Sequence, residues 1–226
     1  MSNGHSLLRA FTTIGLILTL GVSMSADAGL FGFGGTSWKE EVLLHDGQKI
    51  IVKRSQDYGG RHEPGKGAPV KEHTITFTLP HSNNKLSWTS EYGDDLGRTN
   101  FNLLALHVLN GTPYLVVEPN LCLSYNKWGR PNPPYVFFKY DGKAWQRISL
   151  TEFPGEFKTI NLIVNNGREE FIMEHARKTG FVSAGDVREI NSSLPQPEFK
   201  TILREAVRGG DLTSCEVMVR VKDGWI

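Results

Sequence analysis

The chain has 226 residues and carries 25 lysines and arginines against 24 aspartates and glutamates, a formal net charge of +1. This balance argues against nucleic acid as the main partner, because phosphate binding requires a clustered basic surface. It also argues against electrostatic steering toward anionic membranes. The length allows one substantial core or two small ones.

The N-terminal segment has the pattern of a secretory signal. Arg9 precedes an uncharged apolar run, Ala10–Val22, and Ala26-Asp27-Ala28 supplies the small-x-small pattern of a cleavage site. The run is shorter than the roughly 20 residues that a spanning helix needs. We therefore expect residues 1–28 to be a cleaved signal peptide and the protein to be periplasmic or secreted. The alternative is an uncleaved anchor, which would be the chain's only membrane contact.

The mature chain is expected to begin with a flexible leader. Residues 29–37 include the stretch Gly29–Thr36, which contains four glycines and cannot hold regular structure cheaply. Residues 38–226 are predicted to form a single β-rich domain, of which residues 168–212 form a helical appendage.

Four β-hairpins are predicted in the first two thirds of the domain. The turns are Asp46-Gly47, Ser82-Asn83-Asn84, Asn110-Gly111 and Asp141-Gly142, which are residues that tight hairpin turns favour. The predicted strands are Lys39–Leu44 and Lys49–Arg54, Glu72–Leu79 and Lys85–Tyr92, Phe101–Leu109 and Tyr114–Val117, and Tyr135–Tyr140 and Ala144–Ile148. A long polar loop, Ser55–Lys71, separates the first two hairpins.

The last third predicts mixed structure. Phe157–Val164 is predicted as a strand, Ser183 with Asp186 as a capping box that opens a helix to about Ser192, Glu198–Val207 as a second helix, and Glu216–Val221 as a final strand. The predicted fold class is mainly β: antiparallel hairpins in a meander, sandwich or barrel-like sheet, with one or two short helices near the C-terminus. A β-propeller is disfavoured, because the hairpins share no fixed motif.

The two cysteines, Cys122 and Cys215, both lie in the predicted mature chain. An even count in an exported protein favours one disulfide, which would contribute about 3–5 kcal/mol on the chain-entropy model. Two buried free thiols are the alternative.

No catalytic motif and no cofactor-binding fingerprint is present, so no cofactor is predicted. His62, Glu63, Glu72 and His73 lack the spacing of zinc ligands, and we expect no metal there. His107 is predicted to be a hydrogen-bonded core histidine rather than a catalytic base.

The candidate binding surface is the segment Cys122–Tyr135, which combines aromatic side chains, polar donors and three prolines. Exposed aromatic rings beside donors are typical of surfaces that hold sugars or peptides. The alternative is that Trp128 and Tyr135 belong to the core. The candidate ligand-binding residues are Tyr125, Asn126, Lys127, Trp128, Arg130 and Tyr135.

Three stretches, WKEEVLLHDGQKIIVKR, NFNLLALHVLNGTPYLV and NLCLSYNKWGRPNPPYVFFKYDGKAWQRI, resemble a group of exported proteobacterial proteins whose activity is not established. The resemblance implies export and a bacterial envelope setting, but no activity, cofactor or catalytic residue.

These observations leave three functional hypotheses. The first is an exported binding or interaction module that contacts an unknown envelope protein or glycan through the aromatic-proline segment. The second is an envelope glycan hydrolase, which needs two carboxylates in one cleft; Asp94, Asp95 and Glu118 are the candidates. The third is an inhibitor or structural partner of another envelope protein. The first is favoured, and enzymatic activity is the less favoured alternative.

Overall fold

The computed structural model describes residues 35–165, 168–207 and 215, together with the backbone of 220–221 and 224–225. The predicted signal peptide and most of the leader lie outside these residues. Within the described chain, β-strands predominate over short helices, and the predicted mainly-β class is confirmed. No helix of the described residues is long and apolar enough to cross a membrane.

The first sheet is a meander of four antiparallel strands that follow one another in chain order. Its strands are β1 (Thr36–Leu43), β2 (Lys49–Tyr58), β3 (Val70–Thr78) and β4 (Lys85–Ser90). The predicted turn after Leu44 is confirmed, with Gly47 at a φ of 86° that suits glycine. The predicted loop Ser55–Lys71 is too long, because β2 continues to Tyr58 and β3 already begins at Val70.

A short two-stranded ribbon, β5 (Tyr92–Gly93) with β6 (Arg98–Thr99), leads into the second sheet. That sheet is another antiparallel meander, made of β7 (Phe101–Leu109), β8 (Thr112–Pro119), β9 (Val136–Tyr140) and β10 (Trp145–Ile148). The predicted turn between β7 and β8 is confirmed, and both Asn110 and Gly111 adopt positive φ, of 50° and 74°.

The two sheets share one apolar core, as the layers of a β-sandwich do. The core contains Val42, Val52, Ile75, Phe77 and Trp88 from the first sheet and Phe101, Leu103, Leu106, Leu115, Val117 and Val136 from the second. A second cluster covers the other face of the second sheet, where Phe137 and Val116 pack against Phe153 and Phe157.

The helices flank the sheets. They are α1 (Leu121–Lys127), α2 (Glu169–Thr179) and α3 (Ala184–Ser192), and a 3₁₀ turn follows at Pro197–Phe199. α3 begins at the predicted capping box: the Ser183 hydroxyl accepts from the Asp186 backbone N–H, and the Asp186 carboxylate accepts from the Ser183 backbone N–H. α2 and α3 pack on Trp38 of β1 through Ile172 and Val187.

Two predicted elements are wrong. Residues 157–164 form no strand; they run beside β7 in irregular conformation, with the Leu162 N–H donating to the Leu104 carbonyl. Residues 198–207 form no helix: beyond the 3₁₀ turn the backbone is irregular, and Thr201 forms an isolated bridge with Thr159. At the predicted final strand, the structure describes a two-residue strand β11 (Arg220–Val221) paired with β12 (Gly224–Trp225), and residues 216–219 lie outside the description.

Candidate functional site

The described chain contains a surface cavity of about 920 Å³. It lies where β8 ends and α1 begins, and α1, β3, α2 and the 3₁₀ turn all contribute to its walls. Ligand sites are usually concave surfaces of about 300–1,000 Å³ that combine apolar walls with a few placed polar groups. This cavity falls within that range.

Glu118 is a strongly perturbed group in the cavity wall. It stands opposite Asn102 in the β7–β8 register, and the Asn102 Nδ2 donates to the Glu118 Oε1 at 3.1 Å. Burial raises the pKa of Glu118 from its ordinary 4.5 to about 7, the Asn102 hydrogen bond opposes that change, and the Glu198 carboxylate adds to it. Its protonated form therefore persists to a higher pH than that of an ordinary glutamate.

A chain of neutral polar side chains connects Asn102 to the first sheet. His73 on β3 is within hydrogen-bonding range of Asn102, and its Nδ1 accepts from the Gln56 Nε2 at 3.1 Å. Burial lowers the pKa of His73 from 6.5 to about 3, with the Arg54 guanidinium as the next contributor. His73 is therefore neutral at physiological pH and supplies hydrogen bonds rather than charge.

This series of hydrogen-bonded side chains leads back to the cavity beside α2. The Gln56 Oε1 accepts from the Tyr58 hydroxyl at 3.2 Å and from the Asn165 Nδ2 at 3.1 Å. The Asn165 Nδ2 also donates to the Glu169 Oε1 at 3.0 Å. Because Asn165 and Glu169 line the cavity together with His73, one hydrogen-bond network supports two of its walls.

Helix α1 forms the outer wall and is fastened at several points. The Ser124 hydroxyl donates to the Asn100 carbonyl, and the Trp128 Nε1 donates to the Asn100 Oδ1 at 3.2 Å. The sulfurs of Cys122 and Cys215 lie at disulfide distance, with their Cα atoms 5.2 Å apart. The segment predicted to be a loop thus contains a helix that is held on both sides.

Leu121, the first residue of α1, lines the cavity in an unusual conformation. Its φ is 63°, in the left-handed region that large side chains rarely adopt, and its side chain is 62% exposed. Such strain is costly, and here it coincides with an exposed apolar side chain at the cavity wall.

Of the six predicted ligand-binding residues, only Tyr125 lines the cavity. Lys127 is exposed and pairs with Asp95 at 2.9 Å, and the Arg130 Nη2 donates to the Cys215 carbonyl at 2.8 Å. Trp128 is half-buried under the Arg147 guanidinium, and Asn126 is half-buried. Tyr135 is buried, and its hydroxyl donates to the carbonyls of Glu198 and Thr201. The structure therefore spreads these side chains over different faces of the segment.

The other candidate residues lie apart from the cavity, with the exceptions of Glu118 and His73. Asp94 is exposed and Asp95 is engaged by Lys127, so neither aspartate faces Glu118 across the cavity. His107 is a hydrogen-bonded core residue, as predicted: its Nε2 is 3.0 Å from the Thr159 carbonyl oxygen and its ring stacks on Phe157. Within the described residues, no three histidine, cysteine or acidic side chains are grouped to hold a metal.

Sequence reasoning did not identify Asn102, Glu169, Glu198 or Gln196 as cavity residues. The only available signal was a polar residue inside an apolar strand, at Asn102 and at Glu118, and that signal does not show which residues meet. The comparisons with known proteins add no relation: no family model matches the chain, and no curated protein or solved structure matches it.

Proposed function

We propose that this protein is a binding protein whose ligand occupies the cavity between α1 and the ends of β7 and β8. The observation that carries the proposal is the convergence of several separate chain segments, from both sheets and from α1 and α2, on one cavity of about 920 Å³ with a hydrogen-bonded polar floor. A site built on strands and helices and supported by a hydrogen-bond network is preorganised, which lowers the entropy cost of binding.

The proposal keeps the predicted binding segment but moves its contact surface. The cavity side of α1 presents Leu121, Leu123 and Tyr125, whereas Lys127 and Arg130 bond to other parts of the same chain. A macromolecular partner on the Lys127–Arg130 side stays a prediction from the sequence.

Export to the bacterial envelope is part of the proposal. It is supported by the signal-like N-terminus and by a cysteine pair at disulfide distance, because disulfides persist mainly in oxidising compartments. Thiol labelling of the protein in separated periplasmic and cytoplasmic fractions tests it. Two unreactive cysteines would support export, and two reactive thiols in a cytoplasmic fraction would oppose it.

Binding at the cavity can be tested with two matched variants. Leu121→Ser and Ile51→Ser each remove an exposed large apolar side chain, but only Leu121 lines the cavity. In a fragment screen followed by amide NMR shifts, we expect hits that perturb Tyr125 and His73, and that weaken in Leu121→Ser but not in Ile51→Ser. Hits that respond equally to both variants would contradict the proposal.

A glycan hydrolase is the second candidate, favoured by the pKa of Glu118. A carboxyl group with a pKa near 7 can protonate the leaving-group oxygen of a glycosidic bond, and Glu198, which lines the same cavity, would accept the proton of the attacking water. Cleavage of soluble peptidoglycan fragments that is lost in both Glu118→Gln and Glu198→Gln would establish it. Equal turnover by wild type and both variants would exclude it.

A further inference from the structure

Acidic side chains outnumber basic ones in the lining of the cavity. Glu118, Glu169 and Glu198 face it with Arg98 as the cationic side chain. Within the described residues, none of the three carboxylates forms an ion pair with a lysine, arginine or histidine. These side chains give the cavity an excess of negative charge, so it favours a positively charged ligand.

The groups that surround Glu118 do not supply that charge. His73 on β3 is neutral at pH 7, since its pKa is about 3, and Asn102 is a neutral donor. The charge of Glu198 on the 3₁₀ turn is repulsive and helps to raise the pKa of Glu118.

A second, independent feature is an acceptor without a donor. The Gln196 Oε1 is buried and has no hydrogen-bond partner in the described part of the chain, and Gln196 lines the cavity with Glu198. A buried acceptor that lacks a donor destabilises the protein, because it has lost its hydrogen bonds to water. A ligand with several N–H donors would remove this cost and meet the carboxylates as well.

The remaining wall of the cavity is apolar. It includes Leu96, Pro119, Leu121, Leu123 and Phe199. The side chain of Leu121 in particular is 62% exposed to solvent. An apolar ligand body against this wall would bury that surface and gain the hydrophobic contribution of doing so.

We infer that the ligand of this cavity is an amphipathic primary amine, whose ammonium group is bound by the Glu118, Glu198 and Gln196 side chains and whose apolar body packs on α1. This inference rests on the proposed binding function and adds the chemistry of the ligand to it. The ammonium supplies three N–H donors for the carboxylates and the Gln196 oxygen, and a positive charge that offsets the excess of acidic side chains.

The test uses three probes with one carbon skeleton: n-hexylammonium, n-hexanol and n-hexanoate, titrated at pH 8 with the disulfide intact. We expect the ammonium to bind about 10-fold tighter than the alcohol, because hydrogen bonds to a charged acceptor are the stronger kind, and the carboxylate to bind weakest. Nα-acetyl-lysine methylamide, run alongside, shows whether the amine can also come from a lysine side chain.

A pair of variants ties the preference to the cavity. Glu118→Gln should reduce the ammonium preference to within about twofold of the alcohol, whereas Glu189→Gln, an exposed substitution on α3, should leave it unchanged. Glu198→Gln provides a second cavity variant if Glu118→Gln fails to fold.

The outcomes separate the two levels of the proposal. If the probes perturb Tyr125 and His73 but bind without preference for the ammonium, the inference about the amine is overturned and the binding function stands. If no probe perturbs these residues, both are overturned. An ammonium preference that persists unchanged in Glu118→Gln and Glu198→Gln would also overturn the inference.

Discussion

The Asn102 amide and the Glu118 carboxylate face each other across β7 and β8, joined by a hydrogen bond of 3.1 Å. This neutral partner holds the carboxylate in place without neutralising it. The pKa of Glu118 therefore remains high, at about 7, while the group faces a cavity. The pair is the point at which fold, electrostatics and proposed function meet.

Glu118 should destabilise the fold above neutral pH. Its folded pKa of about 7 lies above its ordinary 4.5, so the folded state holds more protons between these values and the free energy of unfolding falls as the pH rises through that window. We expect Glu118→Gln to be more stable than wild type by about 1–2 kcal/mol at pH 8, with the difference vanishing below about pH 4.5. Urea denaturation over this range measures it, and a Glu118→Gln variant that is less stable at pH 8 would contradict the burial argument.

His73 should have the opposite dependence. Its folded pKa of about 3 lies below its ordinary 6.5, so the unfolded state holds more protons between these values and stability is lost as the pH falls through them. His73→Gln should flatten the dependence of unfolding free energy on pH between 6.5 and 4 by about one proton, roughly 1.4 kcal/mol per pH unit. His62→Gln, in an exposed loop, is the control that should keep the wild-type slope.

A buried ion pair on the first sheet should be costly to break. The Arg54 Nη1 and the Glu40 Oε1 lie 2.9 Å apart, both side chains are nearly inaccessible, and the Trp38 Nε1 donates to the other Glu40 oxygen at 2.9 Å. Arg54→Met should lower the free energy of unfolding by about 3–5 kcal/mol, because Glu40 is left buried and unpaired. The double variant Arg54→Met with Glu40→Gln should recover most of that loss in a thermal or urea melt. Additive losses would show that the two charges are not coupled.

Leu121 should lower the free energy of unfolding but strengthen ligand binding. Glycine removes the strain of a positive φ, so Leu121→Gly should have a free energy of unfolding equal to wild type or up to about 1 kcal/mol higher, although it should bind cavity ligands more weakly. Leu123 lies in the same helix but does not adopt a positive φ. Leu123→Gly should therefore be destabilised by about 1 kcal/mol or more. A destabilised Leu121→Gly with unchanged affinity would show that Leu121 serves folding only.

The sequence predicted the elements whose signals are local. Asn110 and Gly111 must both adopt positive φ to close a two-residue turn, and they do; Ser183 and Asp186 lie three residues apart and cap α3 as their chemistry requires. Helix α1 was missed because its seven residues are too short to show a helical period, and its N-cap Asn120 makes no side-chain capping bond.

The wrong strand at 157–164 has a different cause. Leu162 packs in the core between the sheets, Ile163 in the cluster beneath α2 and α3, and Val164 in the cluster on the outer face of the second sheet. Three consecutive apolar residues thus pack in three different hydrophobic clusters. In the sequence, such an apolar run is typical of a buried strand. The neighbouring Asn161 side chain bonds the backbone of Leu106 in place of a strand ladder.

The candidate site could not be predicted from the sequence, because the pairing register of β7 and β8 shifts along the strands. The turn pairs Leu109 with Thr112, and continuing that register would set Glu118 opposite Leu103. A bulge between Leu103 and Ala105 shifts the pairing by one residue and brings Asn102 to Glu118 instead. A one-residue slip changes which side chains share a face, and no residue pattern in β7 marks where the bulge falls.

The most direct test of the account is a ¹³C NMR titration of the Glu118 carboxyl group, in the free protein and with n-hexylammonium at saturation. The account predicts that Glu118 titrates with a pKa near 7 when free, and that the bound cation lowers this pKa by at least about one unit because it stabilises the charged form. A pKa near 4.5 in the free protein, or a value that the amine leaves unchanged, would contradict it.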